Sequence, residues 1–173
     1  PKPIADFVAQ WAIRCLDDTI LEPSCGDGSF IQSAIASGGS IKNITGVELD
    51  PTEAEKARRY GSAIINEDFF TFYSCEIQNK RYYDVVLGNP PFIRSQNFDE
   101  QYRRKAFSLM EVEGLHPNRL TNIWIPFLVL STCALQPHGR LGMVIPAEIL
   151  QVDYAAEVRQ YLSEQYDNLT IIT

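Results

Sequence analysis

The stretch Thr19-Ile20-Leu21-Glu22-Pro23-Ser24-Cys25-Gly26-Asp27-Gly28-Ser29-Phe30 passes from a short apolar strand through a glycine-containing loop into a helix. Pro23 ends the strand because it has one φ value and no backbone donor. Gly26 and Gly28 let the backbone pass close to a ligand, and the helix after them starts with its amides pointing at it. A dinucleotide site would show G-x-G-x-x-G with no proline or acid ahead of it. Here Glu22 closes the strand, and a carboxylate suits an ammonium group better than a pyrophosphate.

The same alternation continues in both directions. Ile4, Phe7, Val8, Trp11 and Ala12 recur at helical spacing and predict an amphipathic opening helix. The second helix runs from Gly28 to Ala36 and stops at Gly38-Gly39. Strands are expected over Ile44–Glu48, Ser62–Asn66, Tyr82–Leu87 and Arg140–Pro146, with a last one starting at Leu169 and running to Thr173. Helices are expected from Pro51 to about Tyr60, over Ile123–Leu135 and over Asp153–Gln165, with Pro137-His138-Gly139 as a turn. The polar stretch from Ile93 to Arg119 reads as a loop with one or two short helical turns. Strand-helix alternation of this kind builds an α/β domain, a mainly parallel sheet with helices on both faces. No linker or repeat interrupts it, so residues 1–173 are expected to form one domain. The chain begins at Pro1 rather than Met and is expected to be a fragment of something longer.

Four predicted strands end in a polar side chain. Glu22 ends the first. Glu48 ends the second, about twenty residues beyond Gly28, the distance at which an acid in a βαβ unit reaches ribose hydroxyls. Asp68, followed by Phe69, comes just after the third. The fourth, Tyr83-Asp84-Val85-Val86-Leu87-Gly88, runs into Asn89-Pro90-Pro91-Phe92. Two prolines can neither extend the ladder nor open a helix, so Asn89 is pushed out at the strand's carboxyl end, where open α/β sheets place ligands. An amide, a free carbonyl and an aromatic ring held together there suit a planar ring bearing an amine. Any one of these acids alone would more simply cap a helix; the set together points to a site.

Composition narrows the classes. Apolar residues make up 45% and charged residues 21%, ordinary values for a folded domain. The longest apolar stretch, Ile123 to Leu135, contains Pro126 and is too short for a membrane span. Cys15, Cys25, Cys75 and Cys133 show no C-x-x-C spacing, so free, mostly buried thiols in a reducing cytoplasm and no metal site are expected. A net charge of −7 repels phosphate backbones, so this chain by itself is expected to hold nucleic acid weakly. Arg94, Arg103, Arg104, Lys105 and Arg119 do gather after the Asn-Pro-Pro-Phe turn, either as a solvated helix face or as phosphate contacts. His116 and His138 read as loop residues.

On these motifs the chain resembles the S-adenosylmethionine-dependent N6-adenine DNA methyltransferases of restriction-modification systems, in the gamma arrangement where a target-recognition domain follows the catalytic domain. Pro1 to Trp11 is similar to the family's opening helix, and Glu22-Pro-Ser-Cys-Gly-Asp-Gly28 to its cofactor loop. Gly46 to Asp50 matches the ribose strand, Asp68-Phe69 the adenine strand and Asn89-Pro-Pro-Phe92 the catalytic turn. Asn122–Phe127 and Gly139–Leu150 resemble later motifs. The resemblance implies a Rossmann-like methyltransferase fold, S-adenosyl-L-methionine as cofactor and double-stranded DNA as partner, with no metal and no membrane. It implies that Glu22 takes the cofactor's amino group, with Ser24 and Gly26 lining the loop. Glu48 would hold the ribose, Leu49 would pack on the adenine, and Asp68 would accept from the adenine amino group beside Phe69 and Phe127. Asn89, Pro90, Pro91 and Phe92 would grip a flipped-out target adenine. The family's Thr ahead of the opening helix and its recognition domain have no counterpart within the chain. Enzymes that methylate release-factor glutamine or ribosomal RNA also carry Asn-Pro-Pro turns, and a non-catalytic specificity module would keep the same fold.

Overall fold

The computed structural model describes residues 2–78, 80, 82–93 and 99–172. Along the chain run α1 (Lys2–Ala12), β1 (Ile20–Glu22), α2 (Ser29–Ala36), β2 (Ile44–Glu48), α3 (Pro51–Arg58) and β3 (Ala63–Asn66). They are followed by α4 (Phe69–Phe72, prolonged by a π turn), β4 (Tyr83–Gly88), α5 (Glu100–Val112), α6 (Trp124–Cys133), β5 (Leu135–Met143) and α7 (Ala156–Gln165). The strands form one sheet in the order β3-β2-β1-β4-β5, and every pairing is parallel. The α/β architecture expected from the sequence is therefore present.

Side chains alternate across the strands, and the alternation feeds two cores. Ile20, Ile44, Val85 and Leu87 pack with Ala5, Ala9, Phe30, Ile31, Ala34 and Ala57 from α1, α2 and α3. On the opposite face Leu21, Val47 and Val86 pack with Phe69 and Phe70 of α4, Ala106 and Leu109 of α5, and Phe127 and Leu130 of α6. A third cluster joins α5 and α6 to α7 through Met110, Trp124, Leu128, Val158 and Leu162. α6 is thus enclosed on all sides, which is why its sequence is apolar all round. Pro126 falls in its first turn, where no backbone donor is needed.

Five expectations are corrected. The region from Ile93 to Arg119 contains a 13-residue helix, α5, capped by Asp99, whose carboxylate accepts from the amides of Gln101 and Tyr102. α1 turns its alanines inward, not its large residues: Ala5, Ala9 and Ala12 are buried, while Ile4, Phe7 and Trp11 stay 43%, 53% and 47% exposed. α1 lies close on β5 at Gly142, where a Cβ would meet Val8 at 2.5 Å. The Arg140 guanidinium sits 5.3 Å over the Trp11 ring and covers its outer face. The Pro-His-Gly turn does not precede β5 but bulges within it: pairing jumps from Tyr83–Leu135 to Val85–Arg140, and His138 takes a left-handed φ of 66°. Residues 169–172 carry no strand pairing, and Leu169, Ile171 and Ile172 are exposed; Thr173 lies outside the described residues. Of the four thiols, all free, Cys15 and Cys75 are exposed rather than buried.

Candidate functional site

The chain moves outward from β1 to β2 and β3, then returns to place β4 on the other flank of β1. The order of strand addition therefore reverses between β1 and β4, and a cleft opens outside their carboxyl ends. Glu22 ends β1 and Asn89 follows β4 directly. Both line one cavity of about 270 Å³, together with Lys2, Ser24, Gly26 and Asp27. Ser24 Oγ donates to the Asn89 backbone oxygen at 3.4 Å and ties the glycine loop to the turn. Gly28, at φ 87°, starts α2. A Cβ there would press into the Tyr60 ring at 2.7 Å, so both conformation and space require glycine.

Glu22 is 2% exposed, and its Oε2 has no hydrogen-bond partner among the described residues. Burial pushes its carboxyl well above the usual 4.5; the Ile31 amide offsets part of this, and the nearby charges of Glu48 and Asp27 add to it. A buried carboxylate oxygen without a partner is costly unless a ligand satisfies it. A cationic amine in the cavity fits that requirement.

At the ends of β2 and β3 the acids are already engaged. Glu48 Oε2 accepts from the Gly26 amide at 2.7 Å and Oε1 from the Asp50 amide at 2.8 Å, so one carboxylate clamps the glycine loop to its own strand end. Asn66 Nδ2 donates to the Glu48 and Leu49 carbonyls at 2.8 and 3.1 Å and holds the two strand ends together. Leu49 stands 56% exposed above them. Asp68 caps α4: its Oδ1 accepts from the Thr71 amide at 2.9 Å and its Oδ2 from the Thr71 hydroxyl. Phe69 and Phe127 are 2% and 3% exposed and stack on each other at 5.1 Å and 18°. Each ring spends one face on the other and is buried, so neither offers an open platform. Glu48, Leu49, Asp68, Phe69 and Phe127 do not line the cavity that holds Glu22 and Asn89.

In the turn, Asn89 is exposed and Pro90 buried, while the Phe92 ring is 47% exposed. The Val144 amide donates to the Gly88 oxygen at 2.9 Å, carrying β5 pairing right up to Asn89. The Ile123 amide donates to the Ile93 oxygen at 3.3 Å, so the start of α6 holds the far side of the turn. Of the basic group, Arg94 lies outside the described residues, Arg104 pairs with Glu100 on the helix surface, and Lys105 turns inward to Thr71. Sequence reasoning missed Lys2, Thr71, Tyr102 and Lys105 as residues near the site. A helical spacing of Tyr102, Ala106, Leu109 and Met110 behind the Asp99 cap was the available signal for the last two.

The family model described as Eco57I restriction-modification methylase matches residues 40–173. The type II methyltransferase M.AccI of Acinetobacter calcoaceticus is 31% identical over 163 residues, covering 94% of this chain and 30% of its own length. The chain thus spans under a third of that relative. Among solved structures, the methyltransferase subunit of a type I restriction-modification system from Streptococcus thermophilus superposes with a TM-score of 0.74 at 20% identity, over 95% of this chain and 38% of that one. A putative class I S-adenosylmethionine-dependent methyltransferase from Listeria monocytogenes gives 0.70 at 16%, over 94% and 50%. The fold is that of S-adenosylmethionine-dependent methyltransferases, and the chain belongs to the Eco57I restriction-modification methylase family.

Proposed function

We propose that this chain is the catalytic domain of a site-specific DNA adenine-N6 methyltransferase. One observation carries the reading: a buried acid with an unsatisfied oxygen and Asn89 share a single cavity where the strand order reverses. Bound S-adenosylmethionine supplies an electrophilic methyl group on a sulfonium. Glu22 receives the cofactor's ammonium and regains the partner its buried oxygen lacks. Ser24 and Gly26 line the path of the methionine part. Glu48, held by two backbone amides, accepts from the ribose hydroxyls; Leu49 covers the adenine, and Asp68 accepts from its amino group above Phe69 and Phe127.

The target nitrogen is a poor nucleophile because its lone pair is delocalised into the ring. The Asn89 side-chain oxygen and the Pro90 carbonyl accept its two hydrogens and favour a pyramidal nitrogen with a localised pair. That stabilisation grows toward the transition state and so raises turnover. Pro91 fixes the turn. Flipping the base from the duplex costs a few kcal/mol, and stacking on Phe92 returns about 1–3 kcal/mol. With a net charge of −7 the domain adds little phosphate attraction of its own. Recognition of double-stranded DNA is therefore assigned to parts of the protein beyond this span.

The test is transfer of a labelled methyl group by the full-length protein to plasmid, RNA and release factor. Methylation of adenine in duplex DNA alone is expected. Label on RNA or on the release factor instead would replace the substrate, and none on any of the three would end the catalytic reading.

A further inference from the structure

We propose that Lys105 and Thr71 are positioning residues that aim the Asp68 carboxylate at the adenine amino group of the methyl donor. The inference rests on the cofactor roles proposed above and extends them to α5.

Asp68 needs only the Thr71 amide to cap α4. It has more than that. The Thr71 hydroxyl also donates to Oδ2, so both carboxylate oxygens are fixed by one residue. A hydroxyl has a single hydrogen to give. Lys105 Nζ donates to Thr71 Oγ1 at 2.5 Å, and an ammonium has donors only, so the hydroxyl acts as acceptor toward Lys105 and must send its own hydrogen to Asp68. The result is a directed chain, ammonium to hydroxyl to carboxylate, reaching from α5 across to the end of β3. Lys105 is half-buried, although its neighbour Arg104 pairs outward with Glu100. A lysine drawn inward toward a neutral hydroxyl gives up water that a surface position would keep.

α5 offers a second residue to the same place. Tyr102 lies one turn before Lys105 and packs on Phe70 at 4.9 Å. Burial first, then the charges of Asp68 and Glu48, push its phenol upward. The helix that follows the Asn-Pro-Pro-Phe turn thus forms a wall of the adenine end of the site. A carboxylate has about four acceptor positions, and Thr71 uses one on each oxygen. The remaining positions are set in orientation and suit a ligand that donates from an exocyclic amine. Hypoxanthine presents an acceptor oxygen at that position and would be repelled.

The experiment measures dissociation constants of S-adenosylhomocysteine and S-inosylhomocysteine by calorimetry in the full-length protein. The wild type should prefer the adenosyl ligand. Thr71→Val and Lys105→Met should each narrow that preference, by about fivefold for one lost hydrogen bond. Thr71→Ser, which keeps the hydroxyl, should restore it. A merely structural role would weaken both ligands equally. Equal weakening, or an undiminished preference in both variants, overturns the inference while leaving the site reading intact. A wild type that binds neither ligand, or both alike, overturns the site reading and the inference with it. Should Thr71→Val unfold, the Lys105→Met and Thr71→Ser pair decides the matter alone.

Discussion

The two halves of the cleft are built in opposite ways. At the junction of β1 and β4, Glu22 is buried with an unpartnered oxygen and a raised carboxyl, and Asn89 stands exposed beside it. At the ends of β2 and β3, Glu48 and Asp68 are acids of the same kind, yet every carboxylate oxygen already accepts a hydrogen bond from the protein. The first half is left unsatisfied and gains when a cationic ligand arrives. The second half is satisfied beforehand, so it frames the ligand and contributes to the stability of the empty protein. Substitutions should therefore separate cleanly: in one half they should damage function without harming the fold, and in the other they should damage both.

Asn89→Ala should give the largest effect. Removing a donor or acceptor that acts on developing charge costs roughly 10²–10³ in turnover, and cofactor affinity should not change. Methyl transfer and calorimetry on the same preparation check this, and wild-type turnover in the variant would break the comparison at its strongest point.

Glu22→Gln comes next. Losing a buried charge-assisted bond should weaken the cofactor roughly tenfold or more, equivalent to about 1.5–3 kcal/mol. The ligand-free thermal midpoint at neutral pH should hold or rise, because the variant removes an acid whose burial penalises ionisation. The sign follows from the raised carboxyl: its contribution to stability is complete below about 4.5 and is lost as pH climbs through the raised value. Cofactor binding selects the ionised form, so affinity should increase with pH across that window, with proton release, and level off above it. Glu22→Gln should flatten this limb. A wild type whose affinity is flat with pH would show that Glu22 takes no cation.

Glu48→Ala should instead lower both quantities. The amides of Gly26 and Asp50 lose their acceptor, at about 1–3 kcal/mol if they remain unsatisfied. Thermal unfolding without ligand reads this directly, and a midpoint as high as that of the wild type would erase the distinction between the halves.

Far from both, His116 pairs with Glu157 at 2.7 Å and joins the loop after α5 to α7. Its proton is held above the usual 6.5 by Glu157, whose own carboxyl falls below 4.5. The histidine's share of stability is lost as pH rises through its raised value, and the glutamate's as pH falls through its lowered value. Both side chains are exposed, so His116→Gln should shift unfolding between those limits only slightly. A large shift would mean that α7 docking depends on this pair.

The unsatisfied half was legible in the sequence because proline and glycine write their backbone constraints openly: Pro23 and Pro90-Pro91 mark where strands must stop, and Gly26 and Gly28 mark where the loop must turn. The acids at the strand ends were legible as well, from spacing. What was hidden depended on packing. α5 went unread because its inward residues Tyr102, Ala106, Leu109 and Met110 are few among charges, and Lys105 read as part of a solvated face or a phosphate contact rather than as a half-buried partner of Thr71. α1 was read by its large residues, but the face it buries is Ala5, Ala9 and Ala12, whose spacing is equally helical and whose small side chains gave no sign of burial. The bulge in β5 has the composition of a free turn; only pairing with β4 on both sides of it shows that the strand continues.

The central claim is that Glu22 and Asn89 serve one methyl donor in one cavity. A crystal structure of the full-length protein soaked with S-adenosylhomocysteine tests it most directly. The account predicts density between the two, with the ligand's ammonium within hydrogen-bond distance of Glu22 Oε2. Density at another place, or an ammonium turned away from Glu22, would contradict it.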